Sequence, residues 1–254
     1  MKQILAVTTI FLLGVLALGG CSKAAQPATA EEYLRQADTY LKQRREQRAR
    51  TYYQELLEKF PDSEYRAMAQ LRIADSLYEE KNYLEARFEY QKFLELYPLH
   101  PFASQAQFQI AMCHMQQVLH YDRDQQQTQE ALRAFRQLRR AYPQDPLIPQ
   151  AEEHIRTLRQ QLAAHEMSVA RFYYRKGAYH AAIGRLLNLI QSYPATPDLD
   201  AALYMLGESY LAEENFVKAQ RVFRTLVDRF PSSLYVSRSR TQLRQLPNTG
   251  ITLQ

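Results

Sequence analysis

The chain has 254 residues, 46% of them hydrophobic, and a formal net charge of +5. This charge is too small to indicate a nucleic-acid-binding protein, and no nucleic-acid partner is expected. Only seven glycines are present, too few for the many tight turns of a β-rich domain, so the composition favours helices.

The first residues predict a cleaved lipoprotein signal peptide. Lys2 precedes an almost purely apolar run, residues 4–18, which is shorter than the roughly twenty residues that span a bilayer. The sequence Leu18-Gly19-Gly20-Cys21 follows and is similar to a lipobox. We therefore expect residues 1–20 to be removed and Cys21 to be lipidated. The alternative is an ordinary signal peptide beside a chance cysteine.

The compartment follows from the same segment. Ser22 follows the cysteine at the position where aspartate favours inner-membrane retention in enterobacteria, so the outer membrane is the expected location. Residues 21–29 would form a lipidated tether. Cys113 is the one other cysteine of the mature chain, so no intramolecular disulfide between folded parts is available, and a small buried role is expected for it.

A repeated ending marks the rest of the chain. Five prolines each follow an aromatic residue, and these aromatic residues are 37, 45, 51 and 37 positions apart. Such spacing is typical of a helical array, and each proline is expected to end a helix. The five aromatic residues are Phe60, Tyr97, Tyr142, Tyr193 and Phe230.

Small residues recur within each unit. Leu206-Gly207-Glu208-Ser209-Tyr210, followed by Ala219, Phe223 and Pro231, matches the tetratricopeptide pattern at its proper offsets. Small side chains are expected where the two helices of a pair cross closely. The corresponding small residues of the other units are Ala37, Ala49, Ala74, Ala86, Ala111, Ala131, Ala170 and Ala182.

These patterns predict an all-α, tetratricopeptide-like solenoid of about five helix pairs over residues 30–247. Tyr121–Thr128 is expected to be a polar loop in the third unit. Leu147–Lys176 is expected to be one extended helix, and residues 248–254 a flexible tail.

Two segments carry a family resemblance. Tyr121-Asp122-Arg123-Asp124-Gln125 and the run from Glu166 to Tyr179, EMSVARFYYRKGAY, closely resemble the outer-membrane protein assembly factor BamD family. The resemblance implies a lipid-anchored scaffold of the β-barrel assembly machinery at the periplasmic face of the outer membrane. Its implied partners are a periplasmic POTRA domain of BamA, other Bam lipoproteins and unfolded outer-membrane proteins.

The resemblance also implies site residues. Arg185 matches the family's arginine on the second helix of the fourth unit, a position implicated in coupling to BamA. Arg185, Arg171 and Tyr174 are the expected partner-binding residues; a solvated helix residue is the alternative for Arg185.

A substrate groove is expected along the first helices of the second and third units. In tetratricopeptide folds such helices line the concave face, and flexible methionines suit varied apolar peptide ends. The alternative is that the phase is off by one and some of these side chains point into the core. The expected groove residues are Leu71, Asp75, Tyr78, Phe108, Met112 and Met115.

A stripe of arginines has two interpretations. Arg133, Arg136 and Arg140 lie on one helical face, opposite Phe135 and its apolar neighbours. The simpler interpretation is the solvent-exposed side of an amphipathic helix. The other is a surface for an acidic partner or for anionic lipid headgroups.

Enzymatic motifs do not occur in this sequence. It contains no G-x-G-x-x-G, G-x-S-x-G, H-E-x-x-H or C-x-x-C. His114 and His120 are six residues apart and do not share a helical face, so no metal site is expected. Because the motifs are missing, no cofactor and no catalytic residue are expected either. The alternative function is another lipid-anchored repeat scaffold, one that coordinates cell-wall synthesis or envelope constriction.

Overall fold

The computed structural model describes residues 27–247, and this part of the chain forms eleven α-helices and no strand. The helices are α1 (Ala30–Lys42), α2 (Glu46–Lys59), α3 (Arg66–Glu79), α4 (Tyr83–Leu96), α5 (Ala103–Met115), α6 (Gln126–Ala141), α7 (Ile148–Arg175), α8 (Tyr179–Ser192), α9 (Leu199–Ala212), α10 (Phe216–Arg229) and α11 (Val236–Gln245). The expected signal peptide, Cys21 and residues 248–254 lie outside the described residues.

Each helix packs against the helix before it and the helix after it, which gives a one-dimensional array. The pairs are α1/α2, α3/α4, α5/α6, α7/α8 and α9/α10. The prediction of an all-α, tetratricopeptide-like solenoid of about five pairs is therefore confirmed. One further helix, α11, was not predicted; it buries Val236 and Ser239 and covers the end of the last pair.

The recurring aromatic residues end the second helix of every pair. Each is the C-cap of its helix, with φ between −126° and −134° and ψ between 55° and 67°. A residue that precedes proline is pushed away from helical angles, and the proline itself has no N–H to continue the helix. The five helix ends are thus determined locally by an aromatic–proline dipeptide.

The small residues lie at the helix crossings, as predicted. The eight alanines predicted for the first four units and Ala219 of the fifth are completely buried. At Gly207 the crossing is close, because a Cβ atom there would lie 2.5 Å from the ring of Phe223. Helix α9 can therefore approach α10 to this distance only with glycine at this position.

Four of the five pairs turn through one left-handed residue. Arg44, Lys81, Gly177 and Glu214 have φ of 58°, 65°, 71° and 55°. In the third pair the turn is replaced by residues 116–125, a longer connection between α5 and α6.

Helix α7 has 28 residues, in agreement with the prediction of one extended helix. Its first half contributes Ile155, Leu158 and Leu162 to a core shared with α3–α6. Its second half contributes Ala163, Met167 and other residues to a core shared with α8–α10.

None of the eleven helices in residues 27–247 combines the length and apolarity needed to cross a bilayer.

Candidate functional site

The connection between α5 and α6 is organised by one buried amide, Gln125, which is 5% exposed. Its Nε2 donates to the carbonyl oxygens of His120, at 2.9 Å, and Arg123, at 3.0 Å. Its Oε1 accepts a hydrogen bond from the Thr128 hydroxyl at 2.9 Å. Because a buried amide is costly unless its donors and acceptors are paired, these bonds hold the connection in one conformation.

The same connection is tied to α7. The ring nitrogen Nδ1 of His165 donates to the carbonyl oxygen of Tyr121 at 2.7 Å. Gln161 donates through Nε2 to the carbonyl oxygen of Leu119 and to Oε1 of Gln125. The Asp122-Arg123-Asp124 tripeptide is left exposed above this anchor.

A cleft on one side of the connection contains two of the three expected partner-binding residues. Tyr121, Arg171, Tyr174 and Asp198 line this open depression of about 470 Å³. The Arg171 guanidinium lies 4.0 Å from the Asp198 carboxylate, and both side chains are 51% exposed. Burial raises the pKa of Tyr174, so its hydroxyl stays protonated and able to donate.

Arg185 lies on the other side of the connection. Its Nη1 is 3.4 Å from Oε2 of Glu166, and the two side chains are 46% and 14% exposed. Asp124, Glu166, Arg185 and Tyr193 line a second depression of about 320 Å³. Glu166 engages only part of the guanidinium, so several of its donors stay available.

We call the area formed by Tyr121, Asp124, Glu166, Arg171, Tyr174 and Arg185 the loop surface. It combines partly exposed arginines with tyrosine rings, two residue types that are enriched at protein interfaces. The expected residues thus flank the connection, with Arg171 and Tyr174 on one side and Arg185 on the other, in two depressions that have no lining residue in common.

The prediction that Leu71 and Phe108 line a groove is wrong. Leu71 is 2% exposed and Phe108 is 7% exposed, and both belong to the core. Phe108 packs edge-on against the ring of Phe135, with ring centroids 5.5 Å apart. Helices α3 and α5, which carry these two residues, each pack against two neighbouring helices, so these positions face helices rather than a ligand.

Asp75, also an expected groove residue, has a partner inside its own repeat. Its Oδ1 accepts a hydrogen bond from the hydroxyl of buried Tyr90 at 2.7 Å, and Arg72 lies 3.3 Å from its Oδ2. Burial raises the pKa of this carboxyl. Asp38 accepts from the hydroxyl of Tyr53 in the same way, at 2.6 Å, so this pair is a structural feature of the first two units.

The other three groove residues, Tyr78, Met112 and Met115, are half-buried on the edge of the core. The Tyr78 hydroxyl accepts a hydrogen bond from Gln116 Nε2 at 3.2 Å. Together these side chains form a smaller apolar patch than the sequence suggested.

Sequence reasoning missed the residues that build the site. Gln125, Gln161 and His165 anchor the connection, and Glu166 orients Arg185. In the sequence, Gln125 is noticeable only as the last residue of the motif 121–125. Its position near the end of the polar loop of the third unit was the one sequence feature that could have indicated its anchoring role.

Among residues 27–247, no group of three or more histidine, cysteine or acidic residues is arranged to hold a metal ion. Cys113 is buried and free, as expected.

Comparison with protein families gives two matches. A model of the YfiO family, described as outer membrane lipoprotein, matches residues 26–215. A tetratricopeptide repeat model matches residues 201–233.

Several curated relatives are named outer membrane protein assembly factor BamD. The relative from Caulobacter vibrioides is 34% identical over 121 residues, which cover 48% of this chain and 40% of that protein. The relative from Neisseria gonorrhoeae is 33% identical over 116 residues, which cover 46% and 43%. The matches thus span less than half the length of these relatives.

Solved structures similar to the chain are tetratricopeptide proteins. The TPR2AB domain of yeast Sti1, in its pHSP90 complex, has a TM-score of 0.44 and 12% identity, covering 85% of this chain and 82% of that one. The tetratricopeptide domain of P58(IPK) has a TM-score of 0.44 and 13% identity, covering 85% and 55%.

Proposed function

We propose a function from the family to which this chain belongs, the YfiO family of outer membrane lipoproteins, whose curated relatives are named BamD. The chain is a non-enzymatic scaffold of the β-barrel assembly machinery. In this role it binds a periplasmic POTRA domain of the barrel protein BamA through the loop surface. It also helps to receive unfolded outer-membrane proteins for assembly and insertion.

One observation carries the proposal. The two segments on which the family resemblance depends, residues 121–125 and 166–179, are about forty positions apart in sequence and meet at the loop surface. Arg185 is next to both, through Glu166 and the depression that contains Asp124. Residues that are distant in sequence and adjacent in space support a shared binding role.

The chemistry suits a non-covalent partner contact. The Arg185 guanidinium can bind a carboxylate with two parallel hydrogen bonds. In the free chain it is paired only loosely with Glu166. A partner carboxylate that replaces or joins Glu166 would therefore gain a charge-assisted hydrogen bond without a large rearrangement.

Substrate reception is assigned to the patch of Tyr78, Met112 and Met115. Methionine side chains adapt to different apolar ligands, and these residues lie on α3 and α5, before the connection that contributes to the loop surface. The lipid on Cys21 would keep both surfaces near the bilayer, which raises the local concentration of membrane-bound partners.

The experiment is affinity capture of the full lipoprotein from detergent-solubilised membranes. Arg185→Glu should reduce the captured BamA about tenfold or more, because it removes a charge pair and adds a like-charge contact with Glu166. The matched control is Arg221→Glu, an exposed arginine on α10 outside the loop surface.

Circular dichroism must show the same helical content for both variants and the wild type. Equal capture of BamA by the Arg185 variant and the control would exclude the loop surface as the partner site. An eluate that contains wall-synthesis proteins and no BamA would favour the alternative scaffold function instead.

A further inference from the structure

A second charged surface lies between α6, α7 and the end of α8. Three of its six arginines have a glutamate partner, in the pairs Arg133–Glu130, Arg139–Glu152 and Arg156–Glu153. Within the described part of the chain the other three have no ion pair. These three are Arg136, Arg140 and Arg159.

The charged form of Arg136 lies in an unfavourable electrostatic environment. Its side chain is half-buried, and burial together with the positive charges of three neighbouring arginines lowers its pKa. A guanidinium nevertheless stays charged in proteins. The fold therefore holds like charges together at a cost, which an anion bound between them would offset.

The arginines surround a recess rather than a flat surface. A cleft of about 420 Å³ has Arg136, Arg139 and Arg159 on its walls. A second depression of about 540 Å³ adjoins it, because both are lined by Arg136 and Tyr193. We call these two connected depressions the arginine cleft.

The floor of the arginine cleft is partly apolar, and one of its arginines, Arg159, is held in place by neighbouring groups. Ile155, Ala163 and Ala195 line it beside the ring of Tyr193. The Arg159 guanidinium donates to the carbonyl oxygen of Ser192 at 2.9 Å and lies 5.7 Å from the centre of the Tyr193 ring. The apolar floor and the arginines beside it together match a polypeptide segment that carries both carboxylates and apolar side chains.

The arginine cleft is continuous with the loop surface. Gln129, Leu162 and Tyr193 line both the second depression of the arginine cleft and the depression that contains Arg185. These shared residues connect the depression at Arg185 to the depression at Arg136.

We propose that the arginine cleft binds an acidic segment of the same polypeptide that contacts Arg185. This inference rests on the proposed function for the identity of the partner, and on the structure for the chemistry of the segment. It assigns to that segment several carboxylates, spaced by apolar side chains that reach the floor of the cleft.

A polypeptide fits this site better than an anionic bilayer does. A bilayer surface contacts the most protruding cations, whereas Arg136 and Arg159 are half-buried. The glutamates that neighbour the outer arginines would repel a uniformly anionic surface. A peptide can place its carboxylates between these glutamates.

The test uses the full lipoprotein in detergent and two readouts. The first is fluorescence anisotropy with a labelled short peptide of alternating glutamate and tyrosine, with a lysine–tyrosine peptide as the control ligand. The second is the amount of BamA captured from membranes. The variants are Arg136→Glu with Arg140→Glu, and the exposed Arg140→Glu alone in case the pair disturbs folding. The control is Arg221→Glu with Arg224→Glu on α10.

We expect the acidic peptide to bind the wild type, to bind the double variant at least about tenfold more weakly, and to weaken with added salt. Captured BamA should fall by a similar factor, while the α10 control keeps both activities. The single variant should show an intermediate loss.

Unchanged peptide binding by both variants would overturn the site. Lost peptide binding with unchanged BamA capture would overturn the assignment to that partner, while the Arg185 result would still stand. If the variants instead lose binding to phosphatidylglycerol vesicles and the wild type ignores the peptide, the site is for lipid and the proposal is wrong. A wild type that binds the peptide but captures no BamA would refute the proposed function and leave the acidic-peptide site intact.

Discussion

Replacing Gly207 by alanine tests how closely α9 and α10 cross. The new methyl group would lie 2.5 to 2.9 Å from three atoms of the Phe223 ring. Phe223 is completely buried in the core that α9 and α10 share, so its ring cannot swing out into solvent. The methyl group must therefore separate the helices or displace the ring.

Two opposing effects determine the size of the change. Overpacking of a close-packed core costs about 2 kcal/mol. Alanine in place of glycine in a helix interior contributes about 1 kcal/mol of stability. We expect the Gly207→Ala protein to be less stable by about 1 kcal/mol, the difference between these two values.

The chain offers a control for each effect. A methyl group added at Gly184, in the interior of α8, would have no atom of another residue within 4 Å, so Gly184→Ala should stabilise the protein by about 1 kcal/mol. The fourth unit places Ala170 and Leu186 where the fifth has Gly207 and Phe223. In a Phe223→Leu protein, Gly207→Ala should therefore become stabilising.

Urea unfolding followed by far-ultraviolet circular dichroism measures the stability of the wild type and of the four variants. A Gly207→Ala protein that gains as much stability as the Gly184→Ala protein would refute the close crossing. The same conclusion would follow if the effect of Gly207→Ala did not change sign in the Phe223→Leu protein.

Three other predictions concern different parts of the chain. Tyr90→Phe removes the hydroxyl donor of half-buried Asp75 and should lower the free energy of unfolding by about 1–3 kcal/mol in urea titrations; no loss would mean that the bond is dispensable. Burial lowers the pKa of His154 below its ordinary value of 6.5. The unfolded chain therefore binds the proton more readily than the folded chain does. The contribution of neutral His154 to the free energy of unfolding is complete above about pH 6.5 and is lost as the pH falls below it. The wild type should therefore lose more stability than His154→Leu between about pH 7 and 5, and parallel curves would contradict this. Cys21→Ala should abolish incorporation of labelled fatty acid, whereas persistent labelling would show that Cys21 is not the lipidation site.

The helix crossings could be predicted from the sequence because they depend on local offsets. Ala74 and Ala86, for example, recur at fixed distances from an aromatic–proline ending, and steric exclusion at a crossing allows few residue types. The single extended helix α7 could be predicted because residues 150–175 contain no glycine and no proline that would end a helix.

The groove residues were predicted less accurately than the helix crossings. Helix α5 packs between α4 and α6 and is buried on several faces, with Ser104 and Gln107 buried alongside Phe108 and Ile110. Periodicity identifies a buried face only when the other faces are polar. On such a helix it does not distinguish a side chain that faces a ligand from one that faces a neighbouring helix.

The loop surface was predicted in part. Arg171, Tyr174 and Arg185 followed from the family resemblance, but their anchors did not. Gln125, Gln161 and His165 act through hydrogen bonds between segments about forty positions apart, and such bonds leave no period in a single sequence.

Helix α7 has a mechanical consequence for the whole array. At 1.5 Å per residue its 28 residues extend about 42 Å, and the same rod is embedded in both major cores. The two halves of the array therefore cannot swivel independently, as they would on a flexible hinge. A protein clamped at the C-terminal half consequently sets the direction in which the N-terminal half points, and a load applied to one end is transmitted to the other.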